Sequence, residues 1–342
     1  MTALPATISV TLKMPADATA DAKEPAPEAP QTAAAEKPAD HAPTTQLDLA
    51  FVCDCTASMS SYLKAAQENI LRITDDIHAR CAGTCDLQYA LVQYRDHPPQ
   101  DRSFVTQTLE LTDDVQTMKA AVDTMKAQGG GDGPEAVAAA LHAVNELSWR
   151  PNATKVVVLI SDAPPHGLGE SGDGFPNGCP DGHDPIALCK TMAAKGIVVY
   201  AVGVEPVLST KYKFARDFMM AVAKITDGRF LPLGQAKILS DVIVAGAVEG
   251  MEMEALWGEL ETKVAAEAAA AGEALDGDAL IAKVETQLRE KKVQMQAVEV
   301  SNPYMDGYDD SNVDALMNAT SLATGQSRMR SSVNREAENA RI

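Results

Sequence analysis

Long apolar runs are missing from this chain. No stretch approaches the roughly 18 consecutive apolar residues that a membrane-spanning helix needs, so the sequence predicts no membrane insertion. Positive charge is scarce: 29 Lys and Arg stand against 48 Asp and Glu, a formal net charge of −19. So acidic a surface repels phosphate backbones and anionic lipid, which argues against nucleic acid as a partner and favours cations and basic groups. Six cysteines in 342 residues do not make a disulfide framework. Met1–Met14, with its lone Lys13, lacks the charged stretch and unbroken apolar core of a secretory signal. The expectation is a cytoplasmic protein with reduced thiols, with unconventional export to the extracellular side as the alternative. The sequence sets no oligomeric state.

Residues 1–46 hold 13 Ala and 7 Pro and few large apolar side chains, and read as a disordered arm. The grammar changes at Leu47. The run Leu47–Cys53 is short, mostly apolar and ends at Asp54, as a strand covered on both faces would. Met59, Tyr62, Leu63, Ala66, Ile70, Ile73 and Ile77 then recur at helical spacing. Further strands are expected at 87–94, 104–111, 155–161, 197–204 and 229–233, with helices at about 113–126, 134–148, 185–195, 214–226 and 235–257. Strands alternating with helices predict an α/β, Rossmann-like doubly wound, mostly parallel six-stranded sheet over 47–247. The gap between 94 and 104 is too short for a helix, so 104–111 is expected as an antiparallel edge strand. Residues 248–298 read as a helical extension, and 299–342, without periodicity, as a flexible tail.

Three polar clusters fall where such sheets place their sites, at the carboxyl ends of strands. They are Asp54-Cys55-Thr56-Ala57-Ser58, the turn from Gly129 to Glu135, and Ser161-Asp162. Each has a plain structural use: Thr56 or Ser58 fits a helix cap, Asp132 with Glu135 a capping box, and Asp162 a solvated strand end. Taken together they place Asp54, Asp132 and Asp162 on one edge beside two hydroxyls. Carboxylates so close repel, and a divalent cation resolves the conflict. An all-oxygen set suits Mg²⁺, with Mn²⁺ or Ca²⁺ as alternatives.

The stretch Asp54-Cys-Thr-Ala-Ser58 resembles the DxSxS or DxTxS motif of the von Willebrand factor A domain, which opens a metal-ion-dependent adhesion site. The similarity covers about 47–247 and runs closest to A domains found beside atypical alpha-type kinases, through Arg95-Asp96-His97-Pro98-Pro99, Gly129–Glu135 and Asp162–Gly167. It implies strand order 3-2-1-4-5-6. It also implies Asp54, Thr56 and Ser58 as ligands from the first loop, and Asp162 from the third. The family's second loop commonly offers a threonine, whereas this chain presents Asp132, directly or through water. The function so implied is capture of an acidic side chain on a protein partner.

Between Pro164 and Pro185 lies an insertion rich in Gly, Asp and Pro. Its His166, Asp173, Asp181, His183 and Asp184 are the candidate partner-binding residues, since a loop this long in a compact domain is usually functional. A zinc site from His166, Cys179, His183 and Cys189 lacks tight ligand spacing. Cys81 and Cys85 read as one turn apart at the end of the first helix, and His97 as a surface-loop residue. Two other functions stay open. One is a regulatory partner of an alpha-type kinase. The other is an aspartyl-phosphate hydrolase, although Thr56 stands where that chemistry needs an acid. Neither Gly-x-x-x-x-Gly-Lys-Ser/Thr nor Gly-x-Ser-x-Gly occurs, and no catalytic motif is recognised.

Overall fold

Strand β1 (Thr45–Asp54) lies at the middle of a six-stranded sheet, paired in parallel with β2 (Cys85–Tyr94) on one side and β4 (Thr154–Ser161) on the other. The structure, a computed structural model, describes residues 45–82, 85–235 and 308–331, with single positions between 241 and 283. The sheet continues through β5 (Ile197–Gly203) to β6 (Phe230–Pro232). It ends at the other edge in β3 (Thr106–Thr112), antiparallel to β2, in the order β3-β2-β1-β4-β5-β6. This is the doubly wound sheet that the alternating pattern predicts. Of the arm expected at 1–46, residues 45 and 46 belong to β1 and the rest fall outside the described residues, as do the helix expected over 235–257 and the helical extension apart from those isolated positions.

The two faces follow from side-chain alternation. Leu47, Leu49, Phe51 and Cys53 point to one side, with Val156, Val158 and Ile160 of β4 beside them. Ala50 and Val52 point to the other, with Val157 and Leu159. Helix α1 (Leu63–Cys81) covers the first side with Ala66, Ile70, Ile73 and Ile77, next to α2 (Val115–Asp123) with Met118 and Val122. Helices α3 (Val137–Asn145), α4 (Pro185–Ala194) and α6 (Ala215–Ile225) cover the second, and a short α5 (Val207–Lys211) follows β5. A central strand buried on both faces leaves its carboxyl end as the place where it can present polar groups. Cys85 opens β2 and does not extend α1, so its spacing from Cys81 is not a helical turn.

The expectation of a flexible segment over 299–342 fails for residues 308–331. Helices α7 (Ser311–Met317) and α8 (Leu322–Gln326) pack on the α4 and α6 side, burying Val313, Leu316, Ala319 and Leu322. Asp217 of α6 accepts hydrogen bonds from Tyr308 Oη and, at 2.9 Å, from Asn312 Nδ2. Asp184 accepts from Leu322 N at 2.7 Å, and Lys190 donates to the Ala319 carbonyl. The buried residues recur every three positions across two short helices, too brief a period to stand out among their polar neighbours.

Candidate metal centre

Asp54 is the last residue of β1 and Ser161 the last of β4, and the parallel register brings the two strand ends level. Asp54 is fully buried, and its Oδ2 accepts from Ser161 Oγ at 3.1 Å. The backbone after it is fastened on two sides: Cys55 N donates to Tyr94 O at 2.9 Å and Ala57 N to Gly129 O at 3.1 Å. Inside that frame Asp54 Oδ1 accepts from Thr56 N at 2.9 Å and Thr56 Oγ1 at 2.7 Å. Ser58 Oγ donates to Asp162 Oδ1 at 2.9 Å, and the Thr56 and Ser58 oxygens lie 3.0 Å apart. Four of the five expected residues thus form one connected cluster. The capping alternatives fail: Thr56 precedes a 3₁₀ turn (Ala57–Ser61) without a side-chain cap bond, and α3 starts behind Ala136, also uncapped.

The hydroxyls carry one proton each. With Asp54 and Asp162 ionised, both protons are committed to carboxylates, and the 3.0 Å contact between Thr56 and Ser58 contains none. Two lone pairs then face a common space. Adjacent oxygens around an octahedral Mg²⁺ at its usual bond length stand about 2.9–3.0 Å apart, so the hydroxyl pair already has the spacing of two ligands. The carboxylates need a positive charge. Burial and the neighbouring Asp162 push Asp54 up to about 7, against the hydrogen bonds from Thr56 and Ser161. Asp162 is raised as well, by burial, with Ser58 and Lys211 opposing.

Glu135 does more than the capping box its spacing from Asp132 suggests. It is buried, its backbone bridges to the third loop through a 2.9 Å bond from its N–H to Pro164 O, and its Oε2 has no hydrogen-bond partner. Burial first, then Asp54, Asp96, Asp132 and Asp162, push it up to about 11. Gly130, at φ +72°, makes room for it, since a Cβ there would lie 2.8 Å from Glu135 Oε1 and 3.2 Å from Thr56 Cβ. The signal available in the sequence was a second acid in the same Gly-rich turn.

Asp132, expected on the metal, is turned elsewhere: its Oδ2 accepts from Gly174 N, and it groups with Asp96 and His166. His166 is buried between two acids, Nε2 to Asp96 Oδ1 at 2.7 Å and Nδ1 to Asp173 Oδ1 at 2.8 Å. Burial opposes its charged form, but the bonds to Asp173 and Asp96 outweigh it and bring the imidazole up to about 9. The insertion is therefore held inward. Asp184 caps α4 through Ile186 N and Ala187 N, each at 3.0 Å, and His183 stacks on His142 at 3.8 Å. Of the five candidate partner-binding residues, Asp181 is the most exposed, with His97 3.6 Å away. His97 is buried beneath the insertion, not on a surface loop, 3.4 Å from Cys179 Sγ. The imagined zinc quartet does not assemble, because Cys189 is in the core and His183 is on His142.

The model of the von Willebrand factor type A domain matches residues 48–227. The chain belongs to this family. The A-domain chain is 30% identical over 138 residues to "Alpha-protein kinase vwkA" of Dictyostelium discoideum, covering 40% of this chain and 22% of that one. It is 31% identical over 194 residues to "Putative ariadne-like RING finger protein R811" of Acanthamoeba polyphaga mimivirus, covering 55% and 18%. It therefore spans about a fifth of the length of these curated relatives. Among solved structures it is similar to the pilus adhesin SpaC of Lactobacillus rhamnosus GG, at 11% identity and a TM-score of 0.47, over 60% of this chain and 31% of the adhesin. Among the described residues no helix is long and apolar enough to cross a membrane.

Proposed function

We propose that this A domain is a recognition module in which Asp54, Thr56, Ser58 and Asp162 hold a divalent cation that captures an acidic side chain of a protein partner. The carrying observation is the connected cluster: two hydroxyl oxygens 3.0 Å apart, each bonded to a buried carboxylate from a different strand end. Mg²⁺ fits this all-oxygen set best, with Mn²⁺ or Ca²⁺ as substitutes. Two neutral hydroxyls leave the ion much of its charge, and that charge draws an outside carboxylate into an open position. Asp132 is assigned no place in this shell, and Glu135 is the second-loop acid beside it. The insertion carries selectivity through exposed Asp181 at its surface, while His166 and Asp173 shape it from within. The setting proposed is cytoplasmic.

The test is calorimetric titration of Mg²⁺ into the wild type and into the Thr56→Ala, Ser58→Ala double variant. The double variant should bind at least roughly 10- to 100-fold more weakly. Equal affinity would sink the proposal. Capture of partners in the presence and absence of EDTA then asks whether the ion mediates contact.

A second reading makes the protein a regulatory partner of an alpha-type kinase, favoured by the similarity to vwkA. The other curated relative is named for a RING finger, so the two names share no single chemistry, as expected where the common part is for recognition. Purified complexes from native lysate that contain no alpha-type kinase would remove this reading.

A further inference from the structure

We propose that Asp96, Asp132 and His166 form a second cation site, for a divalent ion that takes nitrogen as well as oxygen, zinc in the first place. It goes beyond the Mg²⁺ reading and does not depend on it.

One ligand atom from each of the three residues falls within 4.8 Å of the others, as donors around one ion must. Each comes from a different loop at the carboxyl edge, the two acids fixed by backbone N–H groups and the histidine by side chains. Asp96, just after β2, accepts from His97 N at 2.6 Å, and Asp132, in the Gly-rich turn, accepts from Gly174 N. His166, beyond β4, is set by Asp173 and by the edge-on ring of Phe175, 4.8 Å away. Acidic residues alone would not make this a site. The independent observation is that Asp96 is fully buried and its Oδ2 has no hydrogen-bond partner. Asp132 Oδ1 is likewise enclosed, and in the metal-free protein the two carboxylates face each other closely enough to share one proton, whose place an ion would take. Leaving such oxygens unpaired away from water is costly.

The tautomer completes the case. Asp173 accepts from Gly167 N at 2.7 Å and Phe175 N at 2.8 Å, which holds it as an ionised acceptor. Opposite it, at 2.8 Å, His166 Nδ1 must carry a proton. In the metal-free protein Nε2 also carries a proton, shared with Asp96 Oδ1 at 2.7 Å, and its loss leaves the lone pair on Nε2. A carboxylate behind a histidine behind a metal is the usual arrangement for orienting an imidazole ligand. One imidazole with two carboxylates is a mixed donor set that suits zinc better than magnesium. When the ion binds, the Nε2 proton of any charged ring leaves to solvent, and Nε2 and Asp96 Oδ1, 2.7 Å apart in the metal-free protein, spread to the roughly 3.3 Å that two ligands of one tetrahedral zinc need.

The test is zinc titration of the full chain against a chromophoric competitor, in excess Mg²⁺ to fill the Asp54 centre. One zinc per chain should bind. Asp96→Asn and His166→Gln should each weaken it at least about tenfold, while the Thr56→Ala, Ser58→Ala variant should retain it. Zinc-edge absorption of the wild type, which no folding defect can confound, should show one imidazole among light-atom ligands. Absence of tight zinc, a sulfur ligand (placing the ion at Cys179) or loss of zinc with Thr56 and Ser58 would each overturn the proposal. Loss of Mg²⁺ binding alone would count only against the Asp54 centre.

Discussion

Thr56 and Ser58 act through one oxygen each. Thr56→Val keeps the shape of the buried side chain and deletes the hydroxyl. The chain should stay folded, since Thr56 N still donates to Asp54 Oδ1, while Mg²⁺ affinity falls. Circular dichroism with metal titration separates the two effects. Glu135 invites a sharper comparison. Burial and four neighbouring acids keep its carboxyl protonated at neutral pH in the metal-free protein, so Glu135→Gln replaces one neutral group by another. Its melting temperature should stay close to wild type, whereas Glu135→Ala, which empties a buried position, should lower it. Thermal denaturation in EDTA checks both. Asp54, Thr56, Ser58 and Asp162 were legible because an apolar strand announces its own end. Glu135 and Asp96 were not, because their role depends on loops folding over one another, which leaves no periodic trace.

The described strands of the sheet were readable as elements because a parallel strand covered on both faces is nearly all apolar, as Val156–Ile160 shows. The antiparallel edge was readable from loop length. Helices α7 and α8 were not, since neither is long enough to show a face and both are held by contacts from elsewhere. That docking makes its own prediction. Leu316→Ala empties a buried position and should lower stability by about 2–4 kcal/mol in urea unfolding. A tail without fixed structure would show no change. Asp217 is pushed up to about 6 by burial, against the bonds from Tyr308 and Asn312 that tie this segment down.

Across the whole molecule, the acids at the carboxyl edge set the response to pH. Asp54 rises from 3.8 to about 7 on folding, so its contribution to metal-free stability is complete below 3.8 and is lost as pH climbs through 7. His166 rises from 6.5 to about 9, so its contribution is complete below 6.5 and is lost through 9. Both move the same way, and metal-free protein should melt at a lower temperature at pH 9 than at pH 6. Mg²⁺ at 100 times its dissociation constant should restore about 2.7 kcal/mol at the higher pH. Melting scans with and without EDTA at both values decide it; a curve indifferent to chelator would contradict the linkage.

The burial of Asp54, Asp96 and Asp162 has one more consequence. Sodium chloride shields what water can reach and leaves enclosed charge nearly untouched. Ordinary brine should therefore quiet the acidic exterior without relieving the repulsion at this edge.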